Sequence, residues 1–270
     1  MDIQTSNQES LDADVIIVGG GVTGCAMAVA LANGKRRILV LEARLGHKPR
    51  FAGELLHPTG TQVLDDLGFL PTLRHHGGVD VDGFAVVKAP KVPVTRLPYG
   101  EIENNRPTGF AMEHRDLVTG MREWAQKQPG ITFRFNEKVE EILRNDRGRV
   151  CGVRTASGTL HANLVLGCDG RHSKIRPLLG LSENARLLSF SVAMRLPDGA
   201  KLLPCPTFGH IFLGAWGPML IYPIGGPDGS RDARGCFDVT RELSGAPKNA
   251  VELLKHEYTP HLPSPLAKAL

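Results

Sequence analysis

Hydrophobic and polar positions change period several times along this chain. Val15-Ile16-Ile17-Val18 is an unbroken β-branched run that stops at Gly19-Gly20-Gly21 and is followed by the small apolar run Cys25-Ala26-Met27-Ala28-Val29-Ala30-Leu31-Ala32. A short apolar run bounded by glycines predicts a buried strand, and the small residues after it suit a helix packed closely on a sheet. Ile38-Leu39-Val40-Leu41 predicts a second buried strand, which ends in Glu42. From Thr61 to Leu70, apolar Val63, Leu64, Leu67 and Leu70 recur at helical spacing, closed by Gly68 and Pro71. Another helix begins at Glu113-His114-Arg115-Asp116-Leu117, carries Leu117, Met121 and Trp124 on one face, and ends at Pro129-Gly130.

Elsewhere the pattern is that of short strands. Val79, Val81, Phe84, Val86, Val92 and Val94, with prolines between them, predict extended pieces of a different sheet. Ile131–Phe135, Val139–Leu143, Val150–Thr155 and Thr159–Ala162, around turns at Asn145-Asp146 and Ser157-Gly158, predict a β-meander lying on the first sheet. Leu164-Val165-Leu166 predicts a return to a buried strand, while Ser189–Met194 and Met219–Tyr222 resume the second sheet. Pro265 to Leu270 reads as the first turns of a helix, and no internal repeat is present.

Composition narrows the class. With 41% hydrophobic and 22% charged residues in 270, the chain can bury a large core in one large or two small domains. The net charge of +4 comes from scattered Lys and Arg, with no basic stripe interleaved with aromatics, which argues against nucleic-acid binding. Five cysteines, an odd number without a C-x-x-C pair, point to a reducing compartment and against structural zinc. Residues 1 to 13 are polar and acidic, unlike a signal peptide, and read as a loose tail. The longest apolar stretch, Ile211 to Tyr222, is interrupted by Gly214, Gly217 and Pro218, so no transmembrane segment is expected. His75-His76 is expected to point to opposite sides of an extended surface loop rather than to a metal.

The chemistry starts in the glycine turn. Gly19, Gly21 and Gly24 fit G-x-G-x-x-G, in which the first glycine permits the turn, the second lets backbone approach a pyrophosphate, and the third lets helix and strand touch. Glu42 follows Gly24 by eighteen residues, where an acid meets a ribose 2′-hydroxyl and favours an unphosphorylated adenosine, as in FAD or NAD. Motifs for nucleophilic or metal catalysis, G-x-S-x-G and H-E-x-x-H, are absent from the sequence.

Two further signatures accompany that turn: the helix start at Arg115 followed by Leu117, and Cys168-Asp169-Gly170-Arg171-His172-Ser173-Lys174-Ile175-Arg176, which matches D-G-x-x-S-x-x-R. With all three, the chain resembles the flavin-dependent monooxygenases of the aromatic-hydroxylase type over about residues 14 to 180. Within them it is most similar to the squalene monooxygenases, through Glu42, Arg50 and Gly53-Glu54-Leu55-Leu56. The resemblance implies an α/β fold. A Rossmann-like FAD-binding domain with a β-meander would come from residues 12–78 and 106–184, and a smaller mixed β-sheet on the substrate side from 79–105 and 185–270. It implies that Gly19, Gly21, Val22, Thr23 and Gly24 line the phosphate turn and that Glu42 holds the ribose. By the same resemblance Arg50 and Arg115 contact the ADP and flavin sides, Val139 backs the adenine, and Ala43, Phe51 and Asp169 complete the cofactor set. A planar guanidinium suits a pyrophosphate.

The implied activity is hydroxylation or epoxidation of a hydrophobic or aromatic small molecule by molecular oxygen, through a flavin C4a-hydroperoxide, with NAD(P)H or a partner reductase as electron donor. A cytoplasmic location, with a peripheral membrane contact left open, goes with it. Three departures qualify the match. His57 stands where the squalene monooxygenases have Gln, and Phe84 where they have Tyr, both on the substrate side of the flavin, which argues against squalene itself. No Gly-Asp dipeptide occurs, although the family carries a later one on the ribityl side of its flavin. The chain is therefore expected to represent the earlier part of a family member, with its substrate domain incomplete at the C-terminal end. Two alternatives follow: a truncated or split FAD-binding protein without independent catalysis, its missing segment supplied by a second chain, and a flavin-dependent halogenase. Gly53-Glu54-Leu55-Leu56-His57-Pro58 is similar to the halogenases' G-E-x-x-x-P, with Lys88 as the candidate lysine, but Trp216-Gly217-Pro218-Met219-Leu220-Ile221 does not fit their W-x-W-x-I-P.

Overall fold

A computed structural model describes residues 11–46, 53–88, 94–103, 106–181, 186–214, 217–225, 229–240, 252 and 254–270. The chain forms two compact units, Met1–Lys48 with Val118–Asn184, and Pro49–Leu117 with Ala185–Leu270.

The two apolar runs near the N-terminus become the centre of the first unit's sheet. β1 (Ala13–Val18) and β2 (Ile38–Glu42) pair in parallel, with Ile17 opposite Val40, and Ile16, Ile17 and Val40 are wholly buried. Strands covered on both faces need such continuous apolar runs. Between them α1 (Val22–Leu31) buries Gly24, Cys25 and Ala28. The six-stranded sheet is completed by β8 (Ile131–Phe135), β9 (Val139–Arg144), β10 (Val150–Thr155) and β11 (Gly158–Gly167), in the order β8-β2-β1-β11-β10-β9.

Two expectations change here. Ile131–Phe135 is not part of the meander: it lies parallel to β2, Ile38 opposite Ile131, because the Ile38 N–H donates to the Gly130 carbonyl at 2.8 Å and sets the incoming chain beside β2. Nor is Leu164–Leu166 a separate buried strand. β11 is one strand, antiparallel to β10 over Gly158–His161 and parallel to β1 from Ala162 to Gly167, and Leu164 is 45% exposed. Order also begins earlier than the predicted tail allows, since Asp12 exchanges hydrogen bonds with His161 at 3.0 and 2.8 Å. Residues 1–10 lie outside the described residues.

In the second unit, β3 (Gly53–Leu56), β7 (Gly109–Glu113) and β4 (Val79–Val81) form an antiparallel sheet in the order β3-β7-β4. The larger, mixed sheet runs β12-β15-β14-β13-β5-β6. Its strands are β12 (Ser189–Leu196), β15 (Arg231–Thr240), β14 (Gly217–Gly225), β13 (Gly209–Gly214), β5 (Gly83–Val87) and β6 (Thr95–Pro98), and only β13 with β5 is parallel. The 79–99 stretch thus serves both sheets. One face of β14 sends Tyr222 and Ile224 against Val81 and Ala111. The other sends Met219 and Ile221 into a core with Phe212, Phe237, Tyr258 and Leu266, the last from α6 (Ser264–Ala269).

The helix expected over 61–70 is two helices, α2 (Pro58–Asp66) and α3 (Leu70–His75). Gly68 and Phe69 donate back to Asp65 and Leu64 at 2.8 Å, closing α2, and Pro71 opens α3. His75 and His76 end α3 with rings 5.9 Å apart, a helical rather than extended pair. α4 (His114–Gln126) buries Leu117 and Met121, and Trp124 is half-buried. Among the described residues no helix is long and apolar enough to cross a membrane.

Candidate functional site

Backbone packed against backbone fixes the glycine loop at the C-terminal end of β1. Gly19 has φ +105°, and a Cβ there would stand 2.5 Å from the Cys168 carbonyl oxygen. A Cβ on Gly24 would stand 1.8 Å from the Gly19 carbonyl oxygen. Side chains are excluded at both places, whereas nothing lies within 4 Å of the corresponding point on Gly21. Gly21 is the N-cap of α1, and no side chain caps that helix. The cradle is therefore closed at Gly19 and Gly24 and open at Gly21, beside the first-turn amides and the positive end of the helix dipole, a shape and charge that fit a pyrophosphate.

At the neighbouring strand end, the Glu42 Oε2 accepts the Gly20 N–H at 2.9 Å, and Oε1 accepts the Arg44 N–H at 3.1 Å. Arg122, which the sequence pattern did not single out, completes this corner. Its Nη2 lies 3.0 Å from Glu42 Oε2, its Nε donates to the Gly20 carbonyl at 2.6 Å, and its guanidinium lies over the Phe135 ring at 5.4 Å. Arg122 is only 8% exposed. The signal for it was present: Val118, Arg122 and Ala125 follow helical spacing, and Val118 and Ala125 are buried, so a charged residue stands in an apolar stripe. Cys25 also approaches the Gly20 carbonyl, Sγ at 3.7 Å. Burial pushes its thiol up to about 12, with Arg122 pulling the other way, so it stays protonated.

The D-G-x-x-S-x-x-R segment is a self-bonded turn. Asp169 Oδ2 accepts the N–H groups of Lys174 and Ile175 at 2.6 and 3.1 Å, at the start of α5 (Ile175–Leu178). Ser173 Oγ accepts the Arg176 N–H at 3.0 Å, and the Arg176 guanidinium donates to the Arg171 carbonyl at 2.6 Å. Cys168, just before it, donates its N–H to Val18 at 2.7 Å and walls Gly19.

Of the other sequence candidates in this unit, Val22 is half-buried and Thr23 and Ala43 are exposed, whereas the Val139 side chain belongs to the sheet core with Leu41 and Val153. Arg50 and Phe51 lie outside the described residues. Arg115 belongs to the second unit; its side chain is 73% exposed and its Nε donates to Asp116 Oδ1 at 3.2 Å.

The second unit gathers His57, Phe84 and a residue the sequence did not indicate, Tyr99. His57 Nδ1 and the Tyr99 hydroxyl are 2.8 Å apart, and the Phe84 ring lies 5.6 Å from His57 and 6.0 Å from Tyr99. His57 is exposed and Tyr99 is buried, and burial pushes its phenol up, so it is protonated at neutral pH. Gly53 leaves room for Tyr222 and Arg234, since a Cβ there would stand 2.8 Å from the Tyr222 hydroxyl. Arg234, 1% exposed, pairs with Glu113, and His114 pairs with Glu54 at 2.6 Å.

A parallel sheet with a meander, a side-chain-free glycine cradle at a helix start and an acid at the next strand end define a dinucleotide-binding fold. The FAD binding domain family matches residues 12–221, and the chain belongs to that family. It is 31% identical to the squalene monooxygenase of Mus musculus over 265 residues, covering 96% of this chain and 44% of that protein. Among solved structures, p-nitrophenol 4-monooxygenase PnpA from Pseudomonas putida superposes with TM-score 0.73 at 22% identity, over 93% of this chain and 63% of that one. The myxobacterial chondrochloren halogenase CndH, a FAD-dependent enzyme, gives 0.73 at 19%, over 95% and 59%. At these identities the two structures establish the fold alone. The chain spans about half the length of the curated relatives it matches.

Proposed function

We propose that this chain supplies the FAD-binding and substrate-side parts of a FAD-dependent monooxygenase acting on a hydrophobic or aromatic small molecule. The observation that carries the reading is the cradle closed at Gly19 and Gly24, open at Gly21 and flanked by Glu42, in a chain of the FAD binding domain family. Similarity to squalene monooxygenase supports oxygen transfer as the reaction type.

In this reading residues 12–78 and 106–184 serve FAD, and residues 79–105 and 185–270 serve the substrate. The amides at Gly21, Val22 and Thr23 receive the pyrophosphate, Glu42 accepts from the adenosine ribose, and Asp169 holds its turn beside Gly19. Arg115 is the cation the family resemblance assigns to the cofactor, together with Arg50. Bound FAD supplies the redox chemistry, activation of oxygen after reduction by NAD(P)H or a partner reductase. His57, held by Tyr99 and backed by Phe84, offers a hydrogen bond to a polar group of the substrate. That arrangement favours an oxygen- or nitrogen-bearing aromatic over a pure hydrocarbon.

The test is direct. The purified chain should carry a flavin spectrum and oxidise NAD(P)H in a FAD-dependent manner. A colourless protein that takes up no FAD overturns the reading; one that binds FAD without NAD(P)H oxidation favours the two-chain alternative, and a second chain restoring turnover would support it.

A further inference from the structure

We infer that Arg122 is a positioning residue for the cofactor's ADP end: it locks the phosphate loop to the Glu42 carboxylate before any nucleotide arrives. The inference rests on the FAD reading of the first unit and extends it to a residue outside every motif in the chain.

Three bonds close one ring. The Gly20 N–H reaches Glu42 Oε2 at 2.9 Å, Arg122 Nη2 reaches the same oxygen at 3.0 Å, and Arg122 Nε returns to the Gly20 carbonyl at 2.6 Å. Both polar groups of the Gly20 residue, in the middle of the loop, are thus tied to one ion pair. On one side Gly19 is held by backbone, its N–H on the Leu41 carbonyl at 2.8 Å and Cys168 against it, so the part left to fix runs from Gly20 into the open Gly21. Glycine loses more conformational freedom on ordering than any other residue, so an unanchored loop would have to be ordered when the ligand binds. With Arg122 in place that cost falls in folding instead.

Geometry also separates this role from direct recognition. Arg122 is buried, stacked over Phe135 and engaged through both its Nε and its Nη2. Its planar fork spans carbonyl and carboxylate together, which a lysine, with a single nitrogen, covers only in part. Arg122 therefore acts through Gly20 and Glu42, and its removal should weaken nucleotide binding chiefly while Glu42 is there to be oriented.

The test is a double-substitution cycle read by calorimetric titration with ADP, which occupies only this end, and by FAD retention. Arg122→Met should weaken ADP and FAD binding by about tenfold, equivalent to about 1.4 kcal/mol. Arg122→Lys should recover part of the loss. In a Glu42→Gln background the further effect of Arg122→Met should shrink to about twofold or less. Parent-like ADP affinity in Arg122→Met, or an equal penalty with and without Glu42, overturns the inference while leaving the FAD reading intact. A parent chain that binds neither ADP nor FAD overturns both. If Arg122→Met does not fold, the Arg122→Lys variant carries the cycle: affinity equal to the parent's in both backgrounds refutes the role of the fork.

Discussion

Gly21 and Gly24 are three residues apart in one loop, yet alanine should act on them in opposite ways. At Gly24 the new methyl would stand 1.8 Å from the Gly19 carbonyl oxygen and 3.0 Å from its carbon, both backbone atoms that no rotamer change can move. α1 must then retreat from β1 by roughly 1 to 2 Å for the atoms to reach contact distance. Overpacking of this kind costs about 3 kcal/mol. Alanine returns about 1 kcal/mol through its better helix propensity. The net loss of about 2 kcal/mol should lower the melting temperature by roughly 4 to 8 °C. At Gly21 the backbone has φ −86°, which any residue adopts, and the methyl enters open space. Stability should change by less than about 1 kcal/mol. That methyl would occupy the side proposed for the pyrophosphate, so FAD affinity should fall by about tenfold or more. Calorimetric melting of both apo variants, with FAD titration of each, separates the effects. A Gly24→Ala chain that melts with the parent refutes the packing argument, and a Gly21→Ala chain that binds FAD like the parent refutes the location of the phosphates.

Four other outcomes are expected. Arg115→Ala should weaken FAD retention with melting within about 0.5 kcal/mol of the parent, because its side chain is 73% exposed; equal FAD content after dialysis would remove Arg115 from the site. His57→Ala should change substrate KM or product distribution and leave FAD content unchanged, with Tyr99→Phe acting in the same direction more weakly, about 1 kcal/mol for the lost hydrogen bond; steady-state kinetics and product chromatography decide. His210 is wholly buried and its imidazole is held down at about 4 by desolvation, with the Phe208 carbonyl opposing. Its unfolded counterpart takes up a proton near pH 6.5, so stability should fall as pH drops from about 6.5 to 4, by roughly 3 kcal/mol at most, and His210→Phe should flatten that slope in urea titrations. Asp169→Ala removes the acceptor of two N–H groups and should cost about 1 to 2 kcal/mol in thermal melting.

The first strand, loop, helix and second strand were legible because each is specified locally: β-branched runs, a glycine turn and small helix residues leave few alternatives. Glu42 was legible by distance from the loop. Arg122 was not, because a charged residue on a helix is read as solvated unless its apolar neighbours in the stripe are weighed with it. Tyr99 escaped for a different reason. It sits in a short 3-10 turn after β6, without periodicity, and its partner His57 is 42 positions away. The same non-locality misassigned Ile131–Phe135: nothing inside those five residues says that β2 is the neighbour. Helix continuity over 61–70 failed on Gly68, where the spacing of Leu64, Leu67 and Leu70 continues although the backbone turns.

Gly19 takes its close fit from Cys168, just past the far end of β11, and β11 pairs with β1 with Ala13 opposite Ala162, 149 positions along the chain. A motif of six residues is therefore not a local structure. During synthesis the glycines emerge early, but the wall that shapes them is made late in this unit, and the closing contact carries the entropy of a long loop. Assembly of the whole unit consequently decides the loop's shape: a chain ending before Cys168 would contain the complete fingerprint and lack the wall that shapes it.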